Sequence, residues 1–226
     1  MFTLASVVPW GRSYAEYVRM FALSEADLAG RILGCGDGPA SFNAEATRRG
    51  SHVVSCDPLY QFDVVQIRQR IDETSREVLE QARTNAHEFV WDDAIPDVDA
   101  LKRVRMSAMG AFLDDYDQGR RDGRYVHAEL PAMPFAGGSF DLALCSHFLF
   151  LYSKQHDAAF HIQSMRELSR VAREVRVFPL LALGGQPSPH VGTVRDALTD
   201  EGYIVTVERV PYEFQRGGDE MMRVVL

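Results

Sequence analysis

The chain has 226 residues, of which 46% are hydrophobic and 25% are charged, and its formal net charge is −8 at pH 7. This length and composition suit one globular domain, and the acidic balance excludes the concentrated positive surface that nucleic-acid binding requires. No apolar run approaches the ~18 residues of a membrane span, and residues 1–8 lack the basic region of a signal peptide. Three cysteines are too few for a disulfide framework. They indicate a reducing compartment, which we take to be the cytoplasm.

Residues 1–28 precede the first predicted strand. Aromatic and aliphatic side chains recur at helical spacing between Tyr14 and Leu23, and Ser24 begins a short capped turn. The simplest interpretation is a helical segment that packs over the edge of a sheet.

The most informative pattern is a glycine turn between a strand and a helix. An apolar strand at about 30–34 runs into Gly34-Cys35-Gly36-Asp37-Gly38, and a helix follows at about 39–49. Alternate glycines allow a sharp turn and a close backbone approach to a ligand, and a helix N-terminus offers free N–H groups. A second strand at about 52–56 completes a βαβ unit, which implies parallel pairing.

Asp57 closes the second strand, 19 residues after Gly38. An acid at this place accepts hydrogen bonds from ribose hydroxyls in nucleotide-binding α/β sheets. A dinucleotide site is disfavoured because Pro39 stands where its fingerprint needs a third small residue, and the Lys-Ser/Thr of a phosphate-binding P-loop is absent.

Two long helical patterns follow where a simple alternating fold needs one. They cover about 63–84 and 97–119, and each places apolar residues on one face. One helix is expected to be the crossover and the other an insertion within about 60–123. The insertion either covers the substrate or forms a surface hairpin that only adds core.

The second half of the chain predicts strand 3 at about 124–128 and strand 4 at about 140–145. Strand 4 leads into Ser146 and His147. Because ligands bind at the carboxyl ends of parallel strands, His147 is a candidate general base or a group that holds a substrate hydroxyl or carboxylate. The alternative is a structural histidine bonded to backbone. The remaining predictions are a helix at 155–172, strand 5 at 174–178, a helix at 193–201, strand 6 at 203–207, a hairpin turn at 216–219 and an antiparallel last strand at 221–226.

The glycine turn with Asp57, and the run from Glu129-Leu130-Pro131 to Ser139-Phe140-Asp141, resemble two motifs of the class I S-adenosylmethionine-dependent methyltransferases. The resemblance implies an α/β, Rossmann-like, doubly wound, seven-stranded and mostly parallel sheet with a C-terminal antiparallel hairpin strand, within a single domain of residues 1–226. It implies S-adenosylmethionine as cofactor, with S-adenosylhomocysteine as product. The cofactor-binding residues it implies are Gly34, Cys35, Gly36, Asp57, Pro58, Glu129, Leu130, Ser146 and Arg12, with His147 as the catalytic candidate.

The resemblance also suggests individual roles. Glu129 falls where this family has an acid facing the adenine amino group, and Leu130 falls where a backbone N–H meets an adenine nitrogen. An N-terminal helix often covers the cofactor, which would place Trp10, Arg12 and Tyr14 in the pocket wall, with Arg12 paired to a carboxylate of the cofactor or the substrate. One departure is Ile32, which stands where the family usually has an acid that organises the glycine loop.

Three functions remain open on this reasoning. The first is methyl transfer to a small molecule, since the Asn/Asp-Pro-Pro-Tyr/Phe motif of amino-group methylation is absent after strand 4. The second is a cofactor-binding protein of the same fold without methyl transfer, and the third is a nicotinamide-dependent oxidoreductase. A metal bound by Cys35, Cys56 and Cys145 is disfavoured, since no Cys-x-x-Cys spacing exists. The oligomeric state is not predicted.

Overall fold

The structure, a computed structural model, describes Phe2, Leu4 and residues 7–226. Within that part of the chain, seven strands form one sheet with the spatial order β3-β2-β1-β4-β5-β7-β6. The strands are β1 (Arg31–Cys35), β2 (His52–Cys56), β3 (Tyr125–Val126), β4 (Phe140–Ser146), β5 (Ala172–Phe178), β6 (Ile204–Arg209) and β7 (Glu220–Val225). The helices are α1 (Tyr14–Met20), α2 (Glu25–Ala29), α3 (Phe42–Arg48), α4 (Val64–Thr84), α5 (Val98–Arg121), α6 (Ala158–Val171) and α7 (Val191–Asp200).

The predicted fold class is confirmed. Strands β1 to β5 pair in parallel, whereas β7 runs antiparallel to both β5 and β6. Successive residues of a strand face opposite sides of a sheet. Accordingly, Ile32 belongs to the core that includes α1 and α3, and Leu33 belongs to the core that includes α6 and α7. Burial on both faces explains why these strands are continuously apolar.

The two long helices occupy the segment between β2 and β3. Helix α5 packs on α3 and β3, so it takes the crossover position, and α4 packs on α5 as an added layer. Aromatic side chains fill this junction, among them Tyr60, Phe112, Tyr116 and Tyr125. Because α4 starts directly after the 3-10 turn Pro58–Gln61, its first turns lie beside the carboxyl end of β2.

Two local predictions are wrong. Strand β3 has only two residues, because the chain turns away after Val126 and Glu129 bridges to Ala132. The hairpin expected at 216–219 is wrong in its extent: a turn is present, with the Gly218 N–H donating to the Gln215 carbonyl at 2.8 Å, but it lies within a longer connection over residues 210–219. This connection leaves the sheet, and the Phe214 carbonyl accepts a hydrogen bond of 2.8 Å from the Val90 N–H.

Candidate active site

A cavity of about 490 Å³ opens at the carboxyl ends of β1, β2 and β4. This is the edge where open α/β sheets bind ligands, at the point where the strand order reverses. All residues predicted for the site except Gly34 border the cavity: Arg12, Cys35, Gly36, Asp57, Pro58, Glu129, Leu130, Ser146 and His147.

Gly34 acts one layer below the cavity. A Cβ at Gly34 would collide with the carboxylate of Asp37, which turns inward beneath the glycine loop. There the Asp37 carboxylate accepts hydrogen bonds from the Tyr17 hydroxyl at 2.8 Å and from the Ser55 hydroxyl at 2.6 Å. Burial raises the pKa of Asp37 to about 6, against the opposing effect of those two bonds. Asp37 therefore supplies the loop-organising acid that Ile32 does not.

Asp57 ties the glycine loop to the end of β2. Its carboxylate accepts from the Gly38 N–H at 2.8 Å and from the Leu59 N–H at 2.7 Å. Burial raises the pKa of Asp57 to about 6, although both N–H bonds favour the ionised form. Each carboxylate oxygen has two lone pairs, so one acceptor position per oxygen remains for a ligand. Gly36, at φ +65°, takes a left-handed conformation that suits glycine.

The added helix layer reaches the cavity. Arg70 of α4 borders it and stacks its guanidinium 4.1 Å from the ring centroid of Phe62, which also borders it. On the other side, Phe160 of α6 stacks on His156 with ring centroids 4.0 Å apart. The two sides give the cavity aromatic walls around its polar floor.

His147 has an unusual backbone and a perturbed side chain. It is one of two described non-glycine residues with positive φ, at +52°, a conformation that costs free energy and is often kept at functional sites. Its N–H donates to the Phe178 carbonyl at 2.7 Å, and its Nδ1 lies 3.0 Å from Ser146 Oγ. Burial and the positive charges of Arg12 and Arg105 hold the pKa of His147 well below its usual range. The imidazole is therefore neutral at pH 7.

Two arginines and one carboxylate form a charged group beside His147, in which Arg105 and Glu16 are buried and Arg12 is half-buried. Arg105 of α5 is 0% exposed and donates to Glu16 of α1 at 2.5 Å. Glu16 also accepts from the Ser13 N–H and hydroxyl in a capping box, and from the Tyr212 hydroxyl at 2.8 Å. Burial acts to raise the pKa of Glu16, but Arg105 and Arg12 outweigh it and lower the pKa to about 2. Burial and Arg105 lower the pKa of Arg12 to about 10, so Arg12 remains charged at pH 7.

A second cavity of about 90 Å³ adjoins the first, and both are bordered by Val8, Trp10, Arg12 and His147. Its other walls are mostly apolar and come from the N-terminal segment, α4, α5 and the link between them, the loops after β4 and β5, and the β6–β7 connection. They are Phe2, Leu4, Val78, Ala82, Phe89, Leu101, Leu151, Tyr152, Leu183, Phe214 and Gln215.

Sequence reasoning missed Asp37, the Glu16–Arg105 pair and the second cavity. A signal for Asp37 existed, because an acid inside the glycine turn coincides with the missing acid at position 32. No signal in the sequence identified Arg105, which lies on a charged helix, 89 positions away from Glu16.

The described residues contain no group of three or more His, Cys, Asp or Glu side chains placed to hold a metal ion. Cys35, Cys56 and Cys145 are all free and buried. They lie side by side at the ends of β1, β2 and β4. Hydrogen bonds of the Cys35 thiol with Cys145 and Cys56, followed by burial, raise the pKa of Cys35 well above its usual value. Of the helices built from described residues, none has the length and apolar character needed to cross a membrane.

The chain resembles magnesium protoporphyrin IX methyltransferase from Synechocystis PCC 6803, a structure with bound SAM, at a TM-score of 0.50 and 12% identity, over 94% of this chain and 77% of that one. A SAM-dependent methyltransferase from Aquifex aeolicus matches at a TM-score of 0.44 and 14% identity, over 93% and 87% of the two chains. The order of the strands and the first of these two likenesses show that the chain has the class I methyltransferase fold.

The chain is also 31% identical to the uncharacterized protein MJ0045 of Methanocaldococcus jannaschii over 223 residues, which are 97% of this chain and 96% of that protein. It belongs to the same family as this archaeal protein. A scan against models of known protein families finds no match.

Proposed function

We propose that this protein is an S-adenosylmethionine-dependent methyltransferase that acts on a small molecule. The observation that carries the proposal is the first cavity, where the glycine turn, Asp57 and the Glu129–Leu130 segment border one space of about 490 Å³ in a methyltransferase fold. That volume lies within the ~300–1,000 Å³ range of small-ligand sites.

The residues present fit the cofactor. Asp57 has acceptor capacity for ribose hydroxyls, Pro58 and Leu130 offer apolar surface for an adenine ring, and Glu129 offers a carboxylate for its amino group. Gly36 keeps the loop free of side chain where the cavity begins, Cys35 and Ser146 complete the floor, and Gly34 acts through Asp37. When bound, the cofactor supplies an electrophilic methyl group on a sulfonium sulfur.

The chemistry required of the chain is mainly positioning. Methyl transfer requires the acceptor atom, the methyl group and the sulfur in line, which is a matter of proximity and orientation. His147 stands at the boundary of the two cavities and is the residue we assign to hold the acceptor there.

We also propose that residues 1–226 form one domain, with α4 as an insertion that forms part of the wall of the site. The three free cysteines support a cytoplasmic location.

The runner-up function is S-adenosylmethionine binding without turnover, as in a regulatory or partner subunit. The absence of the usual acid at Ile32 is compatible with this function, but the bonds of Asp37 to Tyr17 and Ser55 beneath the loop support Asp37 as the acid that replaces it. An oxidoreductase is disfavoured by Pro39 in the glycine turn.

An assay of product release distinguishes methyl transfer from cofactor binding without turnover. The full chain would be incubated with S-adenosylmethionine and pools of small acids, phenols, amines and thiols, and release of S-adenosylhomocysteine would be followed by mass spectrometry. A methyltransferase releases it with at least one pool and not without acceptor. Cofactor binding with no release in any pool would support the binding-only function.

A further inference from the structure

The second cavity differs in charge from the first. Carboxylates of Asp37, Asp57 and Glu129 border the first cavity together with Arg12 and Arg70. The described residues that border the second cavity include no Asp or Glu, and Arg12 is their one charged side chain. A cationic acceptor would therefore meet Arg12 without a compensating charge.

The positive charge near the second cavity is not fully balanced. Glu16 is the one carboxylate bonded to Arg105, and its oxygens already accept from Ser13 and Tyr212 as well. Arg12 Nη1 donates to the Trp10 carbonyl at 2.7 Å, but Arg12 Nε and Arg105 Nε and Nη2 are buried and have no hydrogen-bond partner among the described residues. Arg105 lies behind the cavity wall, with its guanidinium carbon 5.7 Å from the ring centroid of Phe214. Buried donors without acceptors are costly, and two guanidinium charges share one carboxylate here, so an anionic ligand beside Arg12 would offset part of that cost.

The size of the second cavity limits the body of the ligand. Its volume of about 90 Å³ is smaller than the ~150 Å³ of a cavity that holds benzene. The apolar walls therefore favour a compact branched alkyl group over an aromatic ring.

We infer that the acceptor is a small aliphatic carboxylic acid, with its carboxylate between Arg12 and His147 and its alkyl tail in the second cavity. This inference rests on the methyltransferase function proposed above. A guanidinium matches a carboxylate in charge and planar geometry, and the boundary position places that carboxylate next to the cofactor cavity.

The reaction is the formation of a methyl ester. An acceptor oxygen forms the new C–O bond while the C–S bond breaks and leaves its electron pair on sulfur, so the carboxylate and sulfonium charges cancel and no proton is released. A base is then unnecessary, which agrees with a neutral His147. When Nδ1 of His147 accepts from the Ser146 hydroxyl, the proton is on Nε2, which is free to donate to the carboxylate.

The test uses three probes of one shape and different charge: 3-methylbutanoate, 3-methylbutanamide and 3-methylbutanamidinium. Each would be titrated calorimetrically into the full chain, with and without S-adenosylhomocysteine. We expect the carboxylate to bind at least about tenfold more tightly than the amide and the amidinium not to bind. Equal binding of the amide, or a preference for the amidinium, would overturn the inference.

Substitutions at Arg12 supply the second measurement. Arg12→Gln should weaken carboxylate binding by about tenfold or more without changing amide binding, and Arg12→Lys should retain most of the affinity. Arg209→Gln, at an 82% exposed side chain on the edge strand, is the matched control. If Arg12→Gln weakened S-adenosylhomocysteine binding and spared the acid, Arg12 would instead hold the cofactor's carboxylate, and the inference would fail. Failure of the unmodified chain to bind S-adenosylhomocysteine would contradict the proposed function itself.

Discussion

The two adjoining cavities at one sheet edge differ in their charged walls. Carboxylates of Asp37, Asp57 and Glu129 border the first together with Arg12 and Arg70, and loops at strand ends form much of it. The second is mostly apolar, and Arg12 is the one charged side chain among its described wall residues. It combines the loops after β4 and β5 with the N-terminal segment, α4, α5 and the β6–β7 connection, so most of its wall comes from segments outside the parallel sheet.

Two buried carboxylates, Asp37 and Glu16, differ in pKa because their bonded partners differ in charge. Among the described residues, the Asp37 carboxylate accepts from two neutral hydroxyls, and burial raises its pKa to about 6. Glu16 is paired with a guanidinium, which outweighs burial and lowers its pKa to about 2. The partner, more than burial itself, decides which of the two is ionised at acid pH.

The largest effect should come from breaking the buried ion pair behind the second cavity. Arg105→Met leaves Glu16 charged, buried and without its guanidinium, so we expect a loss of about 3–5 kcal/mol in the free energy of unfolding. Urea denaturation measures it. The double variant Arg105→Met with Glu16→Gln should recover part of that loss. If the Arg105→Met variant were as stable as the parent protein, the Glu16–Arg105 pair would have to be accessible to water.

Asp37→Ala should destabilise the floor of the first cavity. The change leaves the hydroxyls of Tyr17 and Ser55 buried without their acceptor, which costs about 2–4 kcal/mol. Gly34→Ala is the matched test, because the added methyl would displace the same carboxylate. Thermal and urea unfolding would show both losses, and an unaltered Gly34→Ala variant would remove Asp37 from its proposed place under the loop.

Asp57→Ala should weaken S-adenosylhomocysteine binding by about 1–3 kcal/mol through lost charge-assisted hydrogen bonds. Asp57 also caps the 3-10 turn that follows it, so Asp63→Ala, which removes the cap of α4, is the control. The control should lose about 1 kcal/mol of stability and keep its cofactor affinity. An unchanged dissociation constant for Asp57→Ala would exclude Asp57 from the site.

The effect of pH on cofactor affinity should be smaller than the effect of these substitutions. Because burial raises the pKa of Asp57 to about 6, and ribose hydroxyls favour its ionised form, affinity should rise by about tenfold from pH 5 to 7 and then level off. The stability of the unliganded protein changes in the other direction. The Asp57 contribution is present below its unfolded pKa and is lost as pH rises through 6. Calorimetry across this range would show both, and a flat binding profile would contradict the shift.

The sequence predicted the fold, and the residues it proposed for the site border one cavity apart from Gly34, because both predictions depend on local patterns. Strand periodicity, alternate glycines and an acid at a strand end identify a βαβ unit within a short stretch of chain. The walls of the second cavity were not predictable in this way. Trp10, Leu101 and Phe214 meet only after the chain has folded, and Phe214 lies in a segment whose sequence suggested a simple hairpin.

Ile32 shows the same limit in a single residue. Its side chain is 0% exposed in the core with α1, where an acid would be costly. In this chain the acid is Asp37, five residues after Ile32. Its carboxylate fits beneath the loop because Gly34 has no side chain there. A motif departure indicated that something replaced the acid, but the replacement was identified by contacts across β1, β2 and α1.

The most direct test of the central claim is calorimetric titration of the purified full chain with S-adenosylhomocysteine, with NADH as the control ligand. We expect S-adenosylhomocysteine to bind with micromolar affinity at one site per chain and to bind more weakly to the Asp57→Ala variant. We expect no binding of NADH. Absence of S-adenosylhomocysteine binding, or tighter binding of NADH, would contradict the assignment of the first cavity.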